Sequence, residues 1–333
     1  MGLKEYIAKR LVYSIILIFA VLTVNFLIFA MMPGDPLRTY MARVEIHTSV
    51  EQYAMLREQL GLDRPLHERY VEYMVRMIKW DFGSGMIGGG RGVTEQIMER
   101  LPNTLILMGL AAVLSMIAGI FVGVLVAHKR GGWFDTATVT GSLVTYSVPI
   151  FFIGWLMIFF FAVQMKWFPL GGIQPRAWGR NPPTSIIQFL AGRISCLVLP
   201  TVTLFLFSVG GWILLSRACV LETITEDYVV TARAKGLKER TVLYKHVLKN
   251  ASLPLITSVA MSFGFLISGA IITETLFSYN GMGLLMWDAL RGGAAPDLPV
   301  LQAIFYVIAL CVIVANFIAD LLYGVIDPRI KYG

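Results

Sequence analysis

Charged side chains are scarce in this chain. Asp, Glu, Lys and Arg make up 15% of its 333 residues, whereas 56% of the residues are hydrophobic. A soluble domain usually carries about 25% charged residues. A membrane helix needs roughly 20 mostly apolar residues, because lipid cannot hydrogen-bond an unpaired backbone. Uncharged runs of about that length occur at 11–31, 104–127, 139–163, 197–215, 255–273 and 300–319. They predict an all-α polytopic membrane protein with six transmembrane helices and disfavour a soluble protein.

Cysteine and histidine are also rare. An odd number of cysteines without metal-type spacing argues against a disulfide framework and against a metal site; they are Cys196, Cys219 and Cys311. The four histidines, His47, His67, His128 and His246, all lie outside the six runs. An intramembrane enzyme would need a nucleophile with a base or a His-Glu-x-x-His motif, and neither occurs. We therefore expect no catalytic residues and no metal ligands.

A phosphate-binding loop is missing as well. No Gly-x-x-x-x-Gly-Lys-Ser/Thr motif occurs, and the glycine-rich stretch 83–92 lacks the Lys-Ser/Thr ending and follows no strand. The chain therefore cannot cradle ATP in the usual way, and we expect it to hold no cofactor of its own. Its net charge of +7 does not predict a nucleic-acid partner, because a positive-inside bias explains much of that charge.

The basic residues indicate the orientation. With the N-terminus inside, the short inner loops hold most of the lysines and arginines, and the short outer loops hold Lys166, Arg176, Arg180, Arg193 and Arg291. This bias predicts that both termini face the cytoplasm. The first run is longer than a signal-peptide core and leads into no small-x-small cleavage site, so we interpret it as a retained signal anchor.

The runs divide the chain into four parts. They are a cytoplasmic N-terminus with helix 1 (1–31), an extracytoplasmic helical segment (32–103), a transmembrane core of helices 2–6 (104–325) with an inner loop at 217–252, and a cytoplasmic tail (326–333). In the outer segment a Thr48/Glu51 capping box and Pro65 each suit a helix start. The second of these small helices would place Tyr70, Met74, Met77 and Ile78 on one face. Packing as a cap and serving as a docking surface both remain open for this segment.

Several polar or small residues lie within or beside the runs. Gly119 with Gly123, and Gly264 with Ser268, form small-xxx-small pairs that favour close helix packing. Pro149 predicts a kink in helix 3. Asn25 and Asn316 could bridge helices or line a path. Glu274 and Asp320 stand at helix ends, where hydration or a local ion pair competes with a gating role.

The inner loop has an amphipathic pattern. Acidic residues come early and basic residues late, with apolar residues between them, which suits two short helices broken at Gly236. On physical grounds alone such a loop could lie on an anionic leaflet. However, Asp227 to Leu237, read as Asp-Tyr-Val-Val-Thr-Ala-Arg-Ala-Lys-Gly-Leu, and His246 to Pro254 resemble the cytoplasmic loop of binding-protein-dependent ABC importer permeases. The closest resemblance is to the oligopeptide, dipeptide and nickel branch.

The resemblance extends along nearly the whole chain. Short motifs of that branch recur in order at Pro33–Pro36, Leu101–Thr104, Tyr146–Pro149, Glu274–Phe277 and Asp327–Arg329. The chain departs from the motifs of that branch at Ser278–Gly281 and Pro296–Pro299. These departures bear on which substrate is expected, and they do not change the expected class of protein.

The resemblance implies several partners in the cytoplasmic membrane of a bacterium or archaeon. They are a homologous second permease, two ATPase subunits that hold ATP and Mg²⁺, and an extracytoplasmic solute-binding protein. It also implies that a short coupling helix contacts the ATPase subunits. The residues expected there are Asp227, Tyr228, Thr231, Ala232, Arg233, Ala234, Lys235 and Gly236, with Ala232 and Ala234 allowing close approach and Arg233 and Lys235 pairing with acidic residues of the partner.

The expected cargo is a di- or oligopeptide. An oligosaccharide is the main alternative, and nickel is a weaker one, since the runs contain no histidine or cysteine cluster. A secondary transporter or channel is the rival outside this class. It is disfavoured because no run contains a charge and no inverted repeat is evident.

Overall fold

The structure is a computed structural model. It describes residues 3–31, 55, 63–85, 91–251, 254–255, 258, 270–291 and 296–326. Within these residues no strand occurs, although Ser84 and Gly92 form a single antiparallel bridge. The fold is helical, as the sequence predicts.

The helices are numbered in chain order. They are α1 (Leu3–Ala30), α2 (Leu66–Ile78), α3 (Val93–His128), α4 (Trp133–Ser147), α5 (Ile150–Met157, continuing as a π-helix over Ile158–Gln164), α6 (Ile186–Thr223), α7 (Asp227–Ala234), α8 (Glu239–Thr241, continuing as a π-helix over Val242–Val247), α9 (Ala270–Leu276), α10 (Met282–Arg291) and α11 (Leu298–Ile326). A short 3-10 helix covers Arg176–Gly179 in the segment between α5 and α6.

Four of these helices are long and apolar enough to cross a membrane. They contain Glu5–Ala30, Val93–His128, Ile186–Thr223 and Leu298–Ile318, and a fifth span results if the bent pair α4 and α5 is counted as one. The run at 255–273 lies mostly outside the described residues, so the sixth span stays a prediction. Helices α3 and α6 begin before their apolar runs. Polar residues can extend a helix beyond an apolar run, because the helix hydrogen-bonds its own backbone groups.

The third run is not one straight or gently kinked helix. At Val148 and Pro149 the backbone is extended, and α4 and α5 meet at an angle of 98°. Proline has no N–H to donate and disfavours the helical region for the residue before it, so a break here has a local cause. The sequence prediction of a kink at Pro149 therefore understated the change in direction.

The chain divides into two compact units. The described residues within 1–104 and 280–318 form the first unit. Its apolar cluster joins Leu22 and Phe26 of α1, three residues of α2, and residues of α10 and α11 such as Met282, Val300 and Ile304. Buried Asn25 donates to the Tyr73 hydroxyl at 2.9 Å and to the Gln302 carbonyl at 3.0 Å. Asn25 thus bridges α1, α2 and α11, which is one of the two roles its position suggested.

Helix α2 starts after Pro65, where the sequence predicts a helix start. Its buried face consists of Tyr73, Met74 and Met77, and Tyr70 packs beside them. Ile78 is 62% exposed, so its predicted place on this face is wrong. Tyr73 takes that place because the helix turns by 100° per residue and the face is centred nearer Met77 than Ile78. The predicted helix near Thr48 lies outside the described residues.

The second unit comprises the described residues within 105–279 and 319–328. Its long helices approach closely at glycines. A Cβ on Gly119 would overlap Trp212, and one on Gly123 would lie 2.6 Å from the Ser216 Cβ. The packing role predicted for the pair Gly119 and Gly123 is therefore confirmed, with α6 as the neighbour of α3.

Helices α4 and α6 meet in the same way at Gly210. A Cβ there would lie 2.6 Å from the backbone oxygen of Ser142, which cannot move aside as a flexible side chain could. Gly210→Ala is therefore expected to destabilise the folded protein by about 1–3 kcal/mol through overpacking. Thermal unfolding of the detergent-purified protein measures this effect.

Gly141→Ala on α4 is the matched control for Gly210→Ala. A Cβ at Gly141 would meet no described atom within 4 Å, and alanine favours a helix over glycine. An unfolding temperature lowered equally by both substitutions would contradict the proposed contact between α4 and α6.

Candidate functional site

The candidate site is the segment that follows α6. Helix α6 ends at Thr223, and α7 begins at Asp227 after Glu226, whose extended backbone marks the N-cap. Asp227 lies in the first turn of α7 and Arg233 in the last, an arrangement that suits the helix dipole. A two-turn helix is marginal by itself. Its position must therefore be fixed by contacts with the rest of the second unit.

Gly236 ends α7 as its residue type predicts. Its φ is +72°, in the left-handed region that glycine adopts without a Cβ penalty. The Gly236 amide donates to the Arg233 carbonyl at 2.9 Å, and the Leu237 amide donates to the Ala232 carbonyl at 3.4 Å. These two bonds form a Schellman motif, which satisfies carbonyls at the end of a helix. The predicted break at Gly236 is present.

Val229 and Ala232 hold α7 on the bundle. They are three residues apart on one side of the helix, and their exposed fractions are 0% and 5%. They pack in an apolar cluster with residues from the ends of α3 and α6 and from the π-helical part of α8, namely Val124, Ala127, Cys219, Val220, Val242 and Val247. The small side chain of Ala232 thus serves the contact between α7 and its own bundle, and it does not point outward.

The opposite side of α7 carries an exposed row, which we call the outward row. It consists of Asp227, Val230, Thr231 and Ala234, spaced i, i+3, i+4 and i+7. Val230 is 58% exposed, and the Thr231 hydroxyl donates to the Asp227 carbonyl at 3.0 Å. Because Thr231 satisfies its hydroxyl within α7, the outward row offers small, mostly apolar contacts with one carboxylate at its start.

Arg233 is paired within the chain. Its Nη2 lies 2.7 Å from Glu239 Oε1 and its Nε lies 3.2 Å from Glu239 Oε2, so the pair is bidentate and joins α7 to α8. His128 Nδ1, at the end of α3, is 3.9 Å from the same Glu239 Oε1. Arg233 therefore orients α7 against α8, whereas Lys235, which caps α7, is exposed.

The structure brings the predicted site residues onto one short helix but sorts them into two sides. Tyr228, 38% exposed, flanks the outward row, and Gly236 closes the helix. The sequence reasoning missed Val230, a branched apolar side chain of α7 that is 58% exposed. Its spacing of three from Asp227 and four from Ala234 was visible in the sequence. The sequence alone did not indicate which side of α7 faces the bundle.

Glu274 gives a second candidate position. It lies in α9, and its exposed fraction is 0%, so hydration at a helix end does not describe it. Tyr279 follows in the same unit, and its amide donates to the Glu274 carbonyl at 2.7 Å. Burial raises the pKa of Tyr279 to about 12, with Arg193 opposing that shift.

Among the residues that the structure describes, no group of three or more His, Cys, Asp or Glu could hold a metal ion.

Comparison with known families decides the class. The model of the family described as "binding-protein-dependent transport system inner membrane component" matches residues 119–332, and the model of its N-terminal part matches residues 3–108. The chain belongs to this family. It is therefore a membrane-spanning permease subunit of a binding-protein-dependent ABC importer, as its inner loop predicts.

Curated relatives match this permease along its whole length. A probable peptide ABC transporter permease protein of Sinorhizobium fredii is 37% identical over 328 residues, covering 98% of this chain and 99% of the relative. An oligopeptide transport system permease protein of Bacillus subtilis is 34% identical and covers 99% of this chain and 100% of the relative. A di/tripeptide transport system permease protein of Pseudomonas aeruginosa is 33% identical, with coverages of 98% and 99%.

A solved structure shares the fold of the permease. The inward-facing MetNI methionine ABC transporter matches with a TM-score of 0.53 and 16% identity, covering 69% of this chain and 96% of that chain. The family places the permease in the inner membrane as a multi-pass protein, and ATP is hydrolysed by separate subunits of such systems. The permease is thus not itself an enzyme.

The ion pair of Arg233 and Glu239 predicts a pH effect on the permease. The hydrogen bonds from Arg233 hold the pKa of Glu239 below its ordinary value, and the Arg233 charge acts in the same direction. Stability gained from a depressed carboxyl pKa is present above the unfolded-state pKa and is lost as the pH falls through the folded-state pKa. We expect Glu239→Gln to lower the stability at neutral pH by a few tenths of a kcal/mol up to about 1 kcal/mol, since the pair is partly exposed.

The measurement is the unfolding temperature of wild type and Glu239→Gln across a pH series. The difference should shrink as the pH drops below the ordinary glutamate range and should vanish at low pH. A difference that stays constant across the series would show that Glu239 acts through packing and not through its charge.

Proposed function

We propose that this permease forms half of the translocation path of an ATP-driven importer of di- or oligopeptides, and that α7 is its coupling helix. The observation that carries this proposal is the architecture of α7: a short helix fixed on one side by Val229 and Ala232 and exposed on the other along Asp227, Val230, Thr231 and Ala234. Such a helix has a defined position and a surface left for a partner.

The outward row suits a narrow, mostly apolar groove in an ATPase subunit. Its small side chains permit a close approach of the helix backbone, and Val230 supplies the largest apolar contact of the row. Arg233 is already paired with Glu239, so shape and apolar burial contribute more to this contact than pairing with acidic residues. Closing of the ATPase subunits would then move α7 as a rigid body.

The remaining parts of the importer follow from this assignment. A second, homologous permease completes the path, two ATPase subunits bind ATP and Mg²⁺, and an extracytoplasmic binding protein delivers the solute. Both termini and α7 lie on the cytoplasmic side, and α2 lies on the outer side. The run at 255–273 provides the sixth span, with α9 at its outer end.

Peptides are the proposed cargo because the matched relatives are named as peptide, oligopeptide or di/tripeptide permeases along their full lengths. Oligosaccharides and nickel remain alternatives within the same mechanism. A secondary transporter is the alternative outside it.

The test is purification of the importer through this chain, followed by reconstitution into liposomes with its binding protein. We expect ATPase subunits to copurify and a labelled tripeptide to enter the liposomes only when ATP is supplied. Unlabelled tripeptide should compete with this uptake, whereas a trisaccharide and Ni²⁺ should not. Gly236→Trp, which places a bulky residue at a positive φ beside α7, should abolish uptake.

Two outcomes would overturn different parts of the proposal. Competition by the trisaccharide or by Ni²⁺ alone would keep the coupling mechanism and replace the cargo. A permease that purifies without ATPase subunits and still moves solute without ATP would remove the importer mechanism itself.

A further inference from the structure

A partly buried ion pair joins two helices of the second unit, α4 and α6. Arg217 Nε donates to Asp135 Oδ1 at 2.7 Å, and Arg217 Nη2 donates to Asp135 Oδ2 at 2.9 Å. The Gly131 amide also donates to Asp135 Oδ2, at 2.9 Å. Asp135 is 6% exposed. Its carboxylate therefore accepts three hydrogen bonds, two of which fix the plane of the guanidinium.

The residues around Asp135 favour these three hydrogen bonds to its carboxylate. Gly131 has a φ of +78°, so the turn between α3 and α4 can point its amide at Asp135. Asp135 lies in the first turn of α4, where the helix dipole favours a negative charge. Charge-assisted bidentate pairs are short and strongly oriented. The pair thus fixes both the distance and the angle between the start of α4 and the end of α6.

The pair links α6, which contacts α7, to α4, the first helix of the bent pair. Two residues after Arg217, Cys219 and Val220 of α6 enter the apolar cluster that holds Val229 and Ala232 of α7. On the other side of the ion pair, Asp135 belongs to α4, which leads to the break at Pro149 and the 98° bend into α5. A displacement of α7 therefore reaches α4 through the inner end of α6.

The other contacts described between α4 and α6 differ in kind. At Gly210 the two backbones touch near Ser142, which resists compression. Each dispersion contact gains only about 0.1–0.2 kcal/mol and has little directional preference, although many such contacts together hold packed helices. A bidentate ion pair with a third hydrogen bond resists separation as well as compression. The ion pair is a charged, bidentate contact between α4 and α6, so it fixes how the start of α4 follows the end of α6.

We propose that Asp135 and Arg217 are positioning residues for transport: their ion pair makes α4 and the bend at Pro149 follow the displacement of α7 in both directions. This inference rests on the proposed coupling role of α7. Without the pair, α7 still binds the ATPase subunits and ATP is still hydrolysed, but α4 lags behind α6 and fewer solute molecules move per ATP.

The experiment compares variants of the complete importer in liposomes and measures labelled tripeptide taken up per ATP hydrolysed, together with the unfolding temperature. Neutralising Arg217 alone would leave the buried Asp135 carboxylate unpaired and can prevent folding. The main variant is therefore the double substitution Asp135→Asn with Arg217→Gln, which removes both charges and keeps polar side chains; Asn matches Asp in size, and Gln is shorter than Arg. The double substitution Arg64→Gln with Glu72→Gln is the matched control, because that pair, 3.1 Å apart, is exposed and lies in the first unit.

We expect the variant Asp135→Asn/Arg217→Gln to hydrolyse ATP near the wild-type rate and to lose about fivefold or more in uptake per ATP. The control should keep the wild-type ratio. The proposal is overturned if uptake and hydrolysis fall in equal proportion, if neither changes, or if the double variant no longer assembles. A wild-type importer without ATP-dependent uptake would instead refute the proposed function.

Discussion

Replacing Val230 with aspartate is expected to weaken binding of the ATPase subunits to the permease by at least about tenfold, or about 1.4 kcal/mol. Val230 is 58% exposed in the permease alone and stands in the middle of the outward row. In the assembled importer it would lie in a desolvated groove, where apolar anchors contribute most of the binding energy and an unpaired carboxylate is costly. The measurement is the amount of ATPase subunit that copurifies with a tagged permease at increasing dilution.

The control for this prediction is Val230→Thr, which keeps the branched shape and adds no charge. It should retain most of the ATPase subunit, and both variants should unfold at the wild-type temperature, because Val230 is mostly exposed and does not belong to the described apolar cluster that holds α7. Full copurification with Val230→Asp would remove the outward row from the proposed interface.

Replacing Ala232 with aspartate is expected to have the opposite pattern: the folded permease itself is destabilised, by on the order of 3–5 kcal/mol. Ala232 is 5% exposed and packs with Val124, Val220 and Val247, so a carboxylate there would be buried without a partner. The expected results are a lowered unfolding temperature and faster proteolysis of the segment between α6 and α8, both measured on the permease without ATPase subunits.

Ala232→Ser is the matched control, since a serine hydroxyl can hydrogen-bond to the carbonyl four residues earlier within a helix. It should unfold near the wild-type temperature. A stable Ala232→Asp variant that merely loses its ATPase subunits would mean that Ala232 faces the partner, as the sequence alone suggested. The two aspartate substitutions, two residues apart on one helix, thus separate the fixed side of α7 from its binding side.

Most of the membrane-spanning helices were readily predicted from the uncharged runs, because the bilayer imposes a length and a composition on any spanning helix. Four of the six runs lie in helices able to span a membrane, and a fifth corresponds to the bent pair. The end of α7 was equally predictable, because Gly236 is the residue type that tolerates a positive φ. The ends of α3 and α6 were not predictable in this way. A hydrophobicity pattern indicates where a helix leaves the lipid, but it does not indicate where the helix ends.

The bend at Pro149 and the two sides of α7 could be predicted only in part. Proline signals a break, but its angle depends on what packs on both sides, such as Gly154 against Leu276 and Thr203. For α7, the sequence predicted a short helix that breaks at Gly236, and the helix covers Asp227–Ala234. Which of them face inward depends on Val229 and Ala232 meeting Val124 and Val220, residues more than a hundred and about ten positions away.

The sequence by itself determined that this protein crosses a membrane with several helices, and its motifs determined the family, because composition and local backbone preferences act over a few residues. The tertiary structure decided the rest. It paired Arg233 with Glu239, Arg217 with Asp135 and Asn25 with Tyr73, and it turned Ala232 inward and Val230 outward. These partners are separated along the chain by between 6 and 82 residues, so helix packing, and not the local pattern, selects them.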